Sequence, residues 1–232
     1  MKGRRIAKFP FFMEFDPPPS GPYNWTGPPM QQIPRIEDLI REYAARKAEL
    51  DARGVYFLRD INDQQAELFS KALVVMASER HGHPGASITV YVNSGGGTVG
   101  AGLAMMEMMY RMRREYGVLI STIVTGYAYS MGAIVVQAGD RRSMGPLSTM
   151  MLHGGQWILA GEDEKIFRDY QKLALHYQSI ISEVFARRSG LHDARWWRRF
   201  IYSGHERFLS ARECLELRLV DEVVELPEPL PG

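Results

Sequence analysis

The stretch SITVYVNSGGGTVGAGLAMMEMMYRMRREYGVLISTIVTGYAYSMGAIVVQAG, residues 87–139, contains two strand patterns, each followed by a helix pattern. In its first part, apolar residues alternate along SITVYVNS, and the three glycines at 95–97 then lead into a helix rich in methionine. In its second part, the apolar run VLISTIVTG leads to a short segment around Ser130. Such alternation predicts an α/β domain with largely parallel strand pairing, whose functional sites collect beyond the carboxyl ends of the strands. The glycines and Ser130 both fall at such ends.

The alternation of strands and helices continues on both sides of this stretch. VYFL predicts a strand and NDQQAELFSKALVVMASER an amphipathic helix before it, and a short apolar strand ending at His153 follows it. A long amphipathic helix is predicted over residues 162–189, and a short helix and a strand close the domain. The predicted organisation is an extension at 1–53, an α/β domain at 54–226 and a short tail at 227–232. The extension combines an arm rich in proline and aromatic residues with one helix.

The charge balance excludes a global attraction to polyanions. The chain has 28 Lys and Arg against 27 Asp and Glu, a formal net charge of +1, so neither nucleic acid nor a membrane surface is an expected partner.

The single cysteine, Cys214, excludes an internal disulfide and a cysteine-based zinc site. No run of about 18 uncharged apolar residues occurs, and the first residues lack a signal-peptide core, so we expect a cytoplasmic protein.

The glycine turn at 95–97 is open to two interpretations. Backbone N–H groups between a strand and a helix can bind a phosphate or a developing oxyanion, whereas glycines at such a junction can also serve close packing alone. The phosphate-loop pattern is absent, because no Gly-Lys-Ser/Thr follows. A dinucleotide pattern over Gly95, Gly97 and Gly100 lacks the acidic residue that would bind a ribose.

Ser130 and His153, which are 23 residues apart, are also open to two interpretations. Taken alone, Ser130 can be a small residue required by close helix packing, and His153 can be a structural histidine held by hydrogen bonds. Taken together, they suit nucleophilic catalysis, because a serine hydroxyl attacks a carbonyl only when an imidazole accepts its proton.

Five ordered motifs resemble the ClpP family, the proteolytic subunits of ATP-dependent Clp proteases within the crotonase-like superfamily. VYFLRDINDQQAELFSKAL is similar to the opening strand and helix of the family, and VYVNSGGGTVGAG to its Ile-Asn-Ser-Pro-Gly-Gly segment. TGYAYSMGAIVVQAG resembles the nucleophile segment, STMMLHGG the histidine strand, and HERFLSARECLELRLVDEVV the segment that brings the acid. The resemblance implies the ClpP/crotonase-like fold, which is built of repeated strand–helix units with a protruding helix and strand handle.

The resemblance also implies a role for each matching residue. Ser130 would be the nucleophile, His153 the general base and Glu206 the acid that orients it. The N–H groups of Gly97 and Met131 would form the oxyanion hole.

Beside the glycine turn, at Gly95 and Gly96, peptide substrates would bind as an added strand. No cofactor and no metal are implied.

The chain departs from the family pattern at several positions. Glu206 stands where the family has aspartate, His205 replaces an arginine that helps to join rings, and Gly204 replaces an acid. Gly95 replaces the proline of Ser-Pro-Gly-Gly, and the segment GGQWILAGE after His153 is shortened. The extra methylene of Glu206 and the altered ring elements are the points at which this chain is expected to differ from the family.

Three functions from different classes follow. The leading one is a serine endopeptidase that cleaves unfolded polypeptides inside an oligomeric chamber, a heptameric ring or double ring, with an AAA+ ATPase unfoldase as partner. The alternative is a weakly active or inactive subunit with a structural role in a mixed ring, beside a sister ClpP-like subunit. The third, a crotonase-type acyl-CoA enzyme, would need acidic catalysts after the glycines, where only Glu107 is available.

Overall fold

The computed structural model describes residues 36–83, 85–155 and 164–225. The chain divides into two compact units, residues 1–41 and 42–232. Of the first unit only residues 36–41, the start of a helix, are described, so the arm lies outside the described residues. The predicted boundaries at 53/54 and 226/227 stay predictions.

Helices and strands alternate through most of the second unit. In chain order the elements are α1 (Ile36–Ala52), β1 (Val55–Ile61), α2 (Asp63–Arg80), β2 (Ser87–Gly97), α3 (Val99–Tyr116), β3 (Leu119–Tyr129), α4 (Met131–Val136), β4 (Arg141–Met144), β5 (Thr149–Leu152), α5 (Glu164–Ser189), α6 (Ala194–Ile201), β6 (Arg207–Ser210), α7 (Ala211–Glu216) and β7 (Glu222–Val223). Strands β4 and β6 and helix α6 were not part of the sequence prediction. The strand part of the predicted handle falls in 156–163, outside the described residues.

The sheet is almost entirely parallel. Its main path runs β1-β2-β3-β4-β7, and every pair along it is parallel. Strand β5 pairs with β3 in parallel, and β6 pairs with β5 in antiparallel register. The predicted α/β fold with largely parallel pairing is therefore confirmed.

The core forms where the apolar residues of the central strands meet the helices. Strand β2 buries every second residue, Ile88, Val90, Val92 and then Ser94, as a half-buried strand does. Methionines from one side of α3, including Met105 and Met109, fill the space beside the sheet because their unbranched chains adapt to irregular gaps. The serine in this otherwise apolar series lies at the glycine turn.

A register shift in the middle of the sheet brings distant segments together. Between Val92 and Ser94 of β2, the partner residue on β3 changes from Val124 to Ala128. Gly126 turns the backbone there with φ 82°, and its N–H donates to Ser148 Oγ at 2.9 Å. Before the shift β3 pairs with β4, and after it with β5, so the end of β5 lies beside the end of β3.

A buried ion pair joins β4 to the end of the chain. The Arg142 side chain is almost fully buried and donates to both carboxylate oxygens of Asp221 and to Gln137 Oε1. Partial burial alone would raise the pKa of Asp221, but hydrogen bonds from the side chain and backbone of Arg142 outweigh it, so the pKa is lowered. The folded state therefore favours the charged carboxylate, and this stabilisation is present above about pH 4 and lost as the pH falls through the folded pKa.

We expect Asp221→Asn to lower the free energy of unfolding by about 2 kcal/mol at pH 7, because it leaves the Arg142 guanidinium buried without a counter-charge. Urea denaturation measures the loss, and the difference from the wild type should shrink below about pH 4. Glu222→Gln is the matched control: its pair with Arg141 is exposed and is expected to contribute under about 1 kcal/mol. Equal losses in both variants would contradict a special role for the buried pair.

Among the described helices, none combines the length and the apolar character needed to cross a membrane.

Candidate active site

Ser130 lies in a sharp turn between the last residue of β3 and the first residue of α4. Its backbone has φ 52° and ψ −122°, a conformation that costs a residue other than glycine about 1–3 kcal/mol. The turn is held on both sides, because the Ser130 N–H donates to Met151 O at 2.8 Å and its carbonyl accepts from Ala133 N at 3.1 Å. Neighbouring structure thus maintains a strained serine whose side chain is half-buried at the edge of a cavity.

His153 is within hydrogen-bond distance of this serine. The His153 Nε2 and Ser130 Oγ atoms are 2.9 Å apart. Tyr129 and Met151 pair in the parallel β3–β5 ladder, so Ser130, the residue after β3, lies next to the end of β5. This pairing explains how Ser130 and His153 meet although they are 23 residues apart in sequence. When Nε2 carries no proton, the serine O–H donates to it, which is the arrangement a general base requires.

The glycine turn passes so close to its neighbours that side chains are excluded. A Cβ on Gly96, where φ is 99°, would lie 2.8 Å from Ser130 Cβ. A Cβ on Gly97, where φ is 154°, would lie 1.8 Å from the carbonyl oxygen of Ile61. A Cβ on Gly95 would meet nothing within 4 Å. Gly96 and Gly97 are therefore glycines for a steric reason, whereas Gly95 is not.

Ser94 is a residue of the site that sequence reasoning missed. It is fully buried, and its Oγ accepts the Gly96 N–H at 3.1 Å, so this N–H is already occupied. A Cβ on Gly132 would lie 3.1 Å from Ser94 Cβ, so Ser94 also packs against α4. The signal was present in β2, where Ser94 continues the buried alternation that begins at Ile88. A polar side chain at a buried position needs a hydrogen-bond partner, and for Ser94 this partner is the backbone of the glycine turn.

The backbone of Met131 also lies beside the glycine turn. Its N atom lies 3.2 Å from the position that a Cβ on Gly96 would occupy, so it borders the glycine turn. Its side chain is buried, with the methyl group 2.2 Å from where a Cβ on Gly102 would be. Gly102 therefore allows α3 to pack closely against the first turn of α4.

Glu206 is not brought into contact with His153. Strand pairing places Leu152 opposite Arg207, so His153 and Glu206 occupy the next position of the same ladder. However, Glu206 is exposed, and the described part of the chain has no hydrogen bond or ion pair between it and His153. It lines a second cavity of about 560 Å³ together with Phe200 and Phe208. The assignment of Glu206 as the third member of a triad stays a prediction.

A cavity of about 820 Å³ opens beside the serine and the histidine. Of the residues predicted for the site, it is lined by Ser130, His153, Gly96, Gly97 and Met131, whereas Gly95 and Glu206 do not line it. Much of its wall is apolar and comes from α5, with Leu173, Ala174, Ile181 and Phe185. A cavity of this size, lined mostly by apolar residues, is typical of a ligand-binding site.

Tyr202, at the end of α6, completes the wall next to the histidine. Its ring lies 2.9 Å from where a Cβ on Gly154 would be, so it covers the residue after His153. Burial raises the pKa of Tyr202 to about 12, further above physiological pH than the ordinary value of about 10. The sequence prediction did not include α6 and could not place this residue in the site.

No group of His, Cys, Asp and Glu side chains in the described ranges could hold a metal ion.

Two comparisons with known proteins place this chain in a family. The family model described as Clp protease matches residues 37–227. The chain is also 30% identical over 190 residues to an ATP-dependent Clp protease proteolytic subunit from Dehalococcoides mccartyi, an alignment that covers 77% of this chain and 85% of that protein.

The family match spans β1 to β7 and includes the glycine turn, the serine turn and the histidine strand. The resemblance seen in the five motifs is thus confirmed over most of the chain. This chain belongs to the Clp protease family, a family of peptide-cleaving hydrolases.

Proposed function

We propose that the chain is a serine endopeptidase in which Ser130 is the nucleophile and His153 the general base. The observation that carries this proposal is the 2.9 Å contact between Ser130 Oγ and His153 Nε2 at the edge of a large cavity. The strained backbone of Ser130 supports it, because strain maintained by surrounding structure is common at functional sites.

The chemistry follows from these positions. Ser130 Oγ attacks the carbonyl carbon of the scissile peptide bond while His153 Nε2 takes the serine proton. The carbonyl oxygen becomes an oxyanion, which the N–H groups of Met131 and Gly97 stabilise. His153 then gives its proton to the leaving amine, and water hydrolyses the acyl-serine by the same steps in reverse order. Ser94 supports the role of the Gly97 N–H as a donor. Its hydrogen bond with the Gly96 N–H stabilises the shape of the glycine turn.

Glu206 is proposed to orient His153 when substrate or a partner subunit orders the start of β6. Its ladder position opposite His153 supports this role. Hydrogen bonds of catalytic groups are often long before substrate binds and shorten in the reacting complex. Its exposure and the missing contact favour the second candidate function, a weakly active or silent subunit in a mixed ring.

Glu206→Gln tests whether Glu206 takes part in catalysis, and a serine-reactive probe separates the two functions. If the carboxylate fixes the imidazole tautomer and stabilises the imidazolium, we expect kcat/KM for a fluorogenic peptide to fall about tenfold or more. Glu216→Gln is the control, because Glu216 lines the same second cavity and is paired with Arg212 on the surface. A fall of less than about threefold in the Glu206 variant would show that His153 works without it. Labelling of Ser130 by a fluorophosphonate probe in the wild type supports the active enzyme, and no labelling supports the silent subunit.

The chain is further proposed to act in an oligomer to which an ATPase delivers unfolded polypeptides. The name of the Dehalococcoides relative, an ATP-dependent proteolytic subunit, supports this proposal. So does the first half of α5, where Ile166, Phe167 and Tyr170 are each about half exposed, because apolar stripes of this kind mark interaction surfaces. The heptameric or double ring and the sister subunit stay predictions, and the native mass of the purified chain is their first test.

A further inference from the structure

The described residues that line the cavity beside Ser130 include a single carboxylate. Among the described residues that line it, Asp60 is the acidic one, and no lysine or arginine lines it. Arg59, the neighbouring cation in sequence, is not part of the lining. Most of the remaining described wall is apolar, so Asp60 is the charged group of that wall when His153 is neutral.

The position of Asp60 places it close to the reacting serine. Asp60 pairs with Gly96 across the β1–β2 ladder, and neighbouring strands are about 4.8 Å apart. Gly96 in turn contacts Ser130, since a Cβ on Gly96 would lie 2.8 Å from Ser130 Cβ. The backbone of Asp60 is thus about two strand spacings, roughly 10 Å, from the nucleophile.

The Asp60 carboxylate is available to a ligand. It is exposed and has no hydrogen-bond or ion-pair partner among the residues that the structure describes. Other polar side chains of the wall are engaged: Asn62 accepts the Gln65 N–H at 2.9 Å, and Gln178 accepts from Arg198 at 3.3 Å. An unpaired carboxylate at the edge of an apolar cavity attracts a cation and repels an anion.

We propose that Asp60 is a specificity-determining residue that selects substrates with a cationic group within about three residues of the scissile bond. This inference rests on the peptidase activity proposed above. An extended peptide rises about 3.3 Å per residue, so a group held beside Asp60 belongs to a position near the reacting carbonyl. The cation is a lysine or arginine side chain, or the free α-amino group of a short peptide, because each presents N–H donors to a carboxylate.

The test is a set of fluorogenic peptides that differ by one residue. Lysine is placed in turn at the three positions on each side of the scissile bond, and each peptide is compared with its norleucine counterpart, which has a similar shape without the charge. All are blocked at the amino end, and a further pair with a free amino group distinguishes the two sources of the cation. We expect the wild type to prefer lysine at one position, or the free amine, by about fivefold in kcat/KM at low salt, the size expected of an exposed ion pair.

Asp60→Asn should abolish this preference while leaving kcat/KM for the norleucine peptides within about twofold. Asp63→Asn is the matched control, since Asp63 is exposed at the start of α2 and does not line the cavity. The preference should also shrink as salt is raised, because screening weakens an exposed pair.

Equal rates on cationic and neutral peptides in the wild type would overturn the inference and leave the proposed function standing. An equal loss of preference in both aspartate variants would likewise overturn it, because the effect would then be a general one of surface charge. A chain that hydrolyses none of the peptides would overturn the proposed function, and this inference with it.

Discussion

Ser130→Ala is expected to lower kcat/KM for a fluorogenic peptide by about 10³-fold or more, the loss typical of a triad nucleophile. The change removes the Oγ atom that contacts His153 Nε2 at 2.9 Å and leaves no group that could form an acyl intermediate. It leaves the backbone hydrogen bonds on both sides of the turn in place, so the fold should be retained.

The measurement pairs hydrolysis with a thermal melt and fluorophosphonate labelling of the same samples. Ser179→Ala is the control, because Ser179 is an exposed serine of α5 that does not line the cavity. We expect the control to keep full activity and labelling, and the Ser130 variant to lose both with little change in melting temperature. Turnover in the Ser130 variant near the wild-type level would exclude it as the nucleophile.

Gly97→Ala is expected to lower both stability and activity. The added Cβ would lie 1.8 Å from the Ile61 carbonyl oxygen, and φ 154° is unfavourable for alanine. Backbone strain and overpacking each cost about 1–3 kcal/mol, so we expect the free energy of unfolding to fall by about 3 kcal/mol. Because relief of the clash moves a proposed oxyanion donor, kcat should also fall by about 10²-fold in the fraction that stays folded.

Gly95→Ala is the matched control within the same turn. A Cβ there meets nothing within 4 Å, and Gly95 is not among the residues with positive φ. Chemical denaturation and single-turnover hydrolysis of both variants give the comparison. If the two alanines had the same effect, the close approach at Gly97 would not matter, and the steric account of the turn would be wrong.

Much of this architecture follows from local patterns in the sequence. The period of two in β2 and the helical period in α3 are set by how side chains project from each backbone, so they are visible without knowledge of the rest of the fold. The ordered motifs then placed Ser130 and His153 at the ends of strands, where the structure finds them 2.9 Å apart. Short elements were less visible: α6 has eight residues and β4 has four, too few for a period to stand out.

The kind of domain and the residue types available for catalysis follow from local periodicity and motif order, so the sequence establishes both. Which of these residues meet depends on how the strands pair and the helices pack. The pairing of β3 with β5 joins Ser130 to His153, the register of β1 on β2 places Asp60 near the serine, and Ser94 is turned inward under the glycines. The same packing left Glu206 exposed, although its motif position matches an acid of the family. These outcomes depend on contacts between residues far apart in the chain, and local sequence preferences do not determine such contacts.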